Sequence, residues 1–321
     1  MDFTAFREMK PFPQLMFGLF IMVCSGIILS IVSIIISIPF FGMKIIISSL
    51  SIDGLNSPEN IYFLKYFQVV QSITVFVIPP IILGSLYHGN IPEYLQINRT
   101  TRWQTYLMAS CSLLLIIPFI NFLGDINQLM RLPEFLSGIE QKMKNWEDMA
   151  KVAIEKFMDV KSIYGLLFNV FMIAVLPAIG EEFMFRGFIQ GIFTKMTKNY
   201  HWGIWIAAII FSAIHLQFYG FLPRMVLGAM FGYLLVWTGT MWVPILAHFV
   251  NNAMDVIGYY LINKGVITKD VEEWGTGNGQ FPLVIFSVIA VSYLLYLVYR
   301  YEQGKTKMPA NQFDSQASRI D

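Results

Sequence analysis

The sequence predicts an all-α fold: a polytopic membrane helical bundle of about eight transmembrane helices, with an amphipathic helix between spans three and four. Three observations carry this reading. Of 321 residues, 56% are apolar, 16% aromatic and only 13% charged, where an ordinary soluble domain has roughly 25% charge. Mean hydropathy is +0.58. The apolar residues also gather into runs close to or beyond the roughly 20 residues that cross a bilayer as a helix. This composition excludes a disordered chain, a secreted disulfide scaffold and an ordinary cytosolic enzyme. A net charge of +1 gives no electrostatic ground for a nucleic-acid partner. Cys24 and Cys111 both sit inside apolar runs and read as small buried hydrophobes, not as a disulfide or zinc pair.

The spans follow in order. The first run, 15–41, is longer than the roughly 7–15-residue core of a signal peptide, so it is expected to be a retained helix. The second, 66–87, holds Pro79 and Pro80 and is expected to kink there. The third is 105–124. The polar stretch 125–162 then repeats Leu132, Phe135, Leu136, Ile139, Met143, Trp146, Met149, Ala153 and Phe157 at helical spacing, with charges between them. That is the pattern of an amphipathic helix on the outer face, either lying in the interface or capping the bundle as a lid that could also gate substrate entry.

Apolar runs resume at 163–196, 202–219, 221–237, 241–262 and 281–299. The fourth run, about 34 residues, is too long for one perpendicular crossing at ~1.5 Å per residue. It is expected to tilt, to break near Pro177 and Gly180, or to leave the bilayer before Lys195. Arg7, Lys10, Arg99, Arg102, Lys195, Lys198, Arg300, Lys305 and Lys307 all fall on one side if both termini are cytoplasmic. The expected location is therefore integral and multi-pass, in the plasma (inner) membrane. Organisation reads as 1–162 (spans one to three plus the lid), 163–262 (a reactive core), 263–300 (the final span) and 301–321 (a polar, disordered cytoplasmic tail).

The ionisable residues divide the chain. Spans four to seven hold Glu181, Glu182, Arg186, His215, Arg224, His248 and Asp255, while the interiors of the other spans hold no Asp, Glu, Lys, Arg or His. A charge at mid-bilayer costs at least ~2.5–3.5 kcal/mol on insertion scales, so a cluster of them points to function. Glu182 and Arg186, four apart, share a helix face within ion-pair reach. Glu181 lies about 100° round the helix and is not consumed by that pair. His248 and Asn252 share one face of span seven, and Asp255 continues their stripe. A carboxylate, two imidazoles and an amide suffice to hydrolyse a peptide bond without a Ser or Cys nucleophile. The same groups suit zinc, with Glu181, His215 and His248 as the ligands, although no HExxH pattern is present.

Glu181-Glu182-Phe183-Met184-Phe185-Arg186 matches EExxxR, Phe211 to His215 matches FxxxH, and His248 to Asn252 matches HxxxN. In this order the three motifs resemble the CAAX protease and bacteriocin-processing (Abi) family of intramembrane endopeptidases. The resemblance implies that Glu181 is the general base and His215 its partner in activating water. It implies an oxyanion site at His248 and Asn252, and a supporting pair at Glu182 and Arg186. It further implies a glutamate-dependent mechanism with no required cofactor, zinc being the alternative. The implied partners are the lipid bilayer and a peptide or protein substrate, lipid-modified or membrane-associated. The competing function is a non-catalytic membrane scaffold or bacteriocin-immunity protein on the same fold. A coupled transporter would show inverted repeats, and the chain shows none.

Overall fold

A computed structural model describes residues 4–51, 53–268, 274–277 and 279–303. Every regular element among them is helical. The polar segment 304–321, expected to be a disordered tail, lies outside the described residues.

Helix α1 spans Pro11–Ser48, about 57 Å at 1.5 Å per residue and so far longer than the ~30 Å hydrocarbon core. It turns sharply at Gly42, whose φ of 77° is a left-handed conformation open to glycine. Helix α2, Pro58–Tyr87, returns alongside it: Ser33 Oγ donates to Tyr66 Oη (2.9 Å) and Tyr87 Oη donates to the Gln14 carbonyl (2.7 Å). The irregularity expected at Pro79–Pro80 takes the form of a π-turn over Ser72–Val77, just ahead of the prolines. The third run is two helices, α3 (Trp103–Leu115) and α4 (Ile117–Leu129), bent by 45° where Pro118 interrupts the hydrogen-bond ladder. Part of the polar stretch, 125–129, thus belongs to α4. The amphipathic helix itself is α5, Ser137–Met158, and none of its residues is buried.

Helix α6, Ile163–Thr197, runs for 35 residues. It does not break at Pro177 and Gly180. Two π-turns, Val170–Val175 and Phe183–Ile189, bracket that segment instead. Helix α7, Tyr200–Ala213, has 14 residues, about 21 Å, too short to cross a bilayer alone. Helices α8 (Phe221–Thr238), α9 (Trp242–Asn263) and α10 (Phe281–Gln303) complete the bundle. Among the described residues, five helices are long and apolar enough to span a membrane, and six if α3 and α4 form one broken span. The expected count of eight is not reached, because α7 is too short and α9 carries His248, Asn251, Asn252 and Asp255 through its length.

Hydrogen bonds between elements sort the connections to two ends. At one end, Met241 N donates to the Gln96 carbonyl (3.0 Å), Trp242 Nε1 to the Ile97 carbonyl (3.0 Å), and Thr101 Oγ1 to Glu302 Oε1 (2.7 Å). At the other, Asn127 Nδ2 donates to the Phe218 carbonyl (2.8 Å), and Leu222 N to Asn127 Oδ1 (2.7 Å). The α7–α8 turn is thereby fastened to α4. The lid α5 lies at this second end. There Glu147 Oε2 accepts from Tyr219 N (3.2 Å), and the Phe157 carbonyl accepts from Asn169 Nδ2 (2.7 Å).

Close helix contacts depend on glycine at particular points. A Cβ on Gly203 of α7 would sit 2.1 Å from Thr194 Oγ1 and 2.9 Å from the Thr194 backbone nitrogen on α6. Gly203→Ala is therefore expected to lower unfolding stability by about 1–3 kcal/mol, the usual cost of overpacking. Thermal unfolding of the detergent-solubilised protein checks this; an unchanged midpoint would mean that α6 and α7 are not in such close contact.

Candidate active site

Glu181 and Glu182 sit on α6 immediately before its second π-turn. Glu182 is fully buried. Its Oε1 accepts a hydrogen bond from His248 Nδ1 at 2.8 Å and faces Arg186 Nη1 at 2.9 Å. The contact with Arg186 is an ion pair without the alignment of a hydrogen bond. One carboxylate therefore anchors a cation from its own helix and an imidazole 66 residues away on α9. The sequence spacing anticipated the first contact but not the second.

Arg186 is 3% exposed, and its remaining surroundings explain how a guanidinium survives there. Nη2 donates to the Gly228 carbonyl on α8 at 2.9 Å. The Phe211 and Phe231 rings lie 4.8 and 5.3 Å from Cζ. Aromatic faces stabilise a desolvated cation by up to about 2 kcal/mol each. Gly228 brings α8 close: a Cβ there would stand 3.2 Å from Phe211 and 3.3 Å from Ala208. Phe231 and Gly228 fall in no motif and were missed at the sequence level. The small-residue spacing Gly228–Gly232 is the signal that marks a close helix pair.

His248 is held on both sides. Its ring stacks on Phe231 (5.0 Å, 19°) and meets Phe211 edge-on at 6.1 Å. Because a carboxylate only accepts, Nδ1 carries the proton given to Glu182. Nε2 is left facing Glu181 Oε2 at 3.8 Å, a gap too long for a direct hydrogen bond and suited to a bridging water. Glu181 retains 14% side-chain exposure where Glu182 has none. The pair thus divides into an anchored carboxylate and an accessible one.

His215 does not lie in mid-helix. Helix α7 ends at Ala213, and His215 stands in the turn beyond it, followed by Leu216 at φ 54°. Its Nδ1 lies 2.7 Å from the Phe211 carbonyl, which fixes Nδ1 as donor and leaves the Nε2 lone pair outward. Its ring packs edge-on to Phe211 at 5.0 Å, the ring that also touches His248 and Arg186. Phe211 therefore links both histidines and the ion pair. Asn252, on α9, donates from Nδ2 to the Ile173 carbonyl at 3.2 Å in the first π-turn of α6. Asp255 is exposed. An apolar groove of ≈ 270 Å³ lies along α6 and α9 between Val175, Ile179, Trp242 and Phe249, and none of these ionisable groups lines it.

Among the described residues no three His, Cys, Asp or Glu side chains gather closely enough to hold a metal ion. The triplet Glu181, His215 and His248 therefore does not fit a zinc site in this arrangement.

Residues 163–254 match the type II CAAX prenyl endopeptidase Rce1-like family, a family of peptidases. That segment holds all three motifs and every residue of the cluster just described. The Bacillus subtilis (strain 168) protein YpbD is 30% identical over 104 residues, which are 31% of this chain and 48% of YpbD. The chain thus spans about half the length of the curated relative it matches. No solved structure matches the chain.

Removing one partner of the central ion pair tests how much the site relies on it. Arg186→Met leaves Glu182 buried with His248 as its remaining partner. A loss of about 3–5 kcal/mol in unfolding stability is expected, read as a large drop in the thermal midpoint. A change of a few tenths of a kcal/mol would place the pair in water instead.

Proposed function

We propose that this chain is an intramembrane endopeptidase of the CAAX prenyl protease type that hydrolyses its substrate with an activated water and no required metal. The observation that carries the reading is the division of labour between adjacent glutamates. Glu182 is buried against Arg186 and His248, while Glu181 stays accessible and faces His248 Nε2 at 3.8 Å. The match of 163–254 to a peptidase family supports the same conclusion.

In this mechanism Glu181 takes a proton from the attacking water, which the Nε2 lone pair of His215 helps to orient. The hydroxyl adds to the scissile carbonyl carbon, and the carbonyl oxygen becomes an oxyanion. His248, oriented by Glu182 through Nδ1, offers Nε2–H to that oxygen. The second N–H of Asn252 is the other donor. When the C–N bond breaks, protonated Glu181 returns its proton to the leaving amine. Glu182 and Arg186 keep their pairing throughout, so the net charge of the site is unchanged while the negative charge passes from Glu181 to the oxyanion.

The partners that follow are the bilayer and a peptide or protein substrate, membrane-associated or lipid-modified. The orientation proposed has both termini cytoplasmic in the inner membrane. Arg99, Arg102, Lys195 and Lys198 cluster at the end of the bundle opposite the lid, and short cationic connections stay inside. The lid end then faces away from the cytoplasm.

Three measurements test these points. Glu181→Gln is expected to cut peptide hydrolysis by about 10²–10⁴-fold, the weight of general-base catalysis, with an unchanged thermal midpoint; full activity in this variant contradicts the mechanism. Chelators applied to the metal-stripped protein are expected to leave activity intact. For orientation, a membrane-impermeant maleimide on intact cells is expected to label Lys144→Cys and not Thr100→Cys, in a chain lacking Cys24 and Cys111. The reverse pattern would invert the topology.

A further inference from the structure

Arg224 is the cation of the reactive region that the mechanism does not use. It lies one turn into α8, half-buried. Its guanidinium is held by neutral groups: Nη1 donates to the Gln217 carbonyl at 3.2 Å, and Nη2 donates to Gln217 Oε1. The cradle is tight. A Cβ on Gly220 would stand 2.7 Å from Nη2 and 2.9 Å from Cζ, so a side chain there would push the guanidinium out of its present place. Gln217 and Gly220 belong to the same turn as His215. Among the described residues, the ion pairs within 4.0 Å involve Arg131, Arg186 and His248, and none involves Arg224.

The charges around it are carboxylates at longer range. Arg224 is close enough to act on Glu181 and on Glu147 of the lid. Glu147 is itself seated on the cradle turn, with Oε2 accepting from Tyr219 N at 3.2 Å. The neighbouring lid residue Glu140 accepts from Tyr219 Oη at 3.3 Å. A fork of five donors holding only neutral partners, beside the general base and under a lid glutamate, has the chemistry of a carboxylate receptor.

We infer that Arg224, cradled by Gln217 and Gly220, is a specificity-determining residue that receives the free C-terminal carboxylate of the substrate, and that Glu147 of α5 covers this position in the closed state. The inference rests on the peptidase reading above and sharpens it. A substrate bound this way presents a bond near its C-terminus to Glu181, and its carboxylate displaces Glu147 as the lid lifts. Arg is suited to the task because its planar fork binds a carboxylate through two parallel hydrogen bonds.

The test separates recognition from hydrolysis by using the full-length Glu181→Gln protein in detergent, which binds without turnover. The probe is a dye-labelled farnesyl-cysteine tetrapeptide with a free C-terminus, compared with its C-terminal amide by fluorescence anisotropy. The acid is expected to bind at least about 10-fold tighter than the amide, a typical return for a charge-assisted bidentate contact. Adding Arg224→Gln should bring the two affinities together. Adding Arg224→Lys should keep part of the difference, and Glu147→Gln should tighten the acid form alone. Equal behaviour of acid and amide in the Glu181→Gln protein overturns the proposal, as does a preference that survives Arg224→Gln. Failure of hydrolysis by the unsubstituted protein would instead strike the peptidase reading, so the two outcomes are distinguishable.

Discussion

A carboxylate with no exposed surface, inside a bundle of apolar helices, has to be neutralised where it stands. Glu182 meets that requirement through two partners of different origin, Arg186 one turn along the same helix and His248 on α9. Taking such charges out of water costs several kcal/mol per ion, and attraction offsets that cost only where the geometry is good and the remaining donors are satisfied. The rest of the site follows from this demand. Arg186 has a further donor, which reaches the Gly228 carbonyl, and two faces, which rest on Phe211 and Phe231. Helix α8 must therefore approach closely, and a glycine at 228 allows it.

The network also sets the protonation pattern. Acceptors at Glu182 and at the Phe211 carbonyl fix the Nδ1 proton of both histidines. Their Nε2 atoms are left for other partners. Glu181 keeps its side-chain exposure while its neighbour carries the buried ion pair. The α6 helix supports this with two π-turns that flank the segment holding both glutamates, a distortion of the kind found where helices present functional groups.

Much of the fold was legible in the sequence, and the reasons are local. Runs of apolar residues marked α1, α2, α6, α8 and α10, and a 3.6-residue stripe marked the lid. Glu182 and Arg186 were legible because helical spacing alone makes them neighbours. The contact between Glu182 and His248 was not, since it joins residues 66 apart and depends on how α9 packs against α6. Nor was the end of α7. Hydrophobicity continues from Ile214 through Phe218, but the chain leaves the helix at Ala213 and passes Leu216 with positive φ. His215 thereby stands on a turn beside the lid and not inside a span. Hydropathy reports what tolerates lipid, and an apolar turn beyond a helix end, such as the one holding Ile214 and Leu216, tolerates it as well as a helix does.

The most direct test of the central interaction is a double-mutant cycle between Glu182 and His248. Unfolding stabilities would be measured for Glu182→Gln, His248→Gln and the double variant. If the buried carboxylate and the imidazole depend on each other, the two losses are non-additive by at least about 1 kcal/mol, within the range seen for residues in direct contact. Losses that add to within about 0.3–0.5 kcal/mol, as independent sites do, would show that His248 is not anchored by Glu182 and would remove the basis of the account.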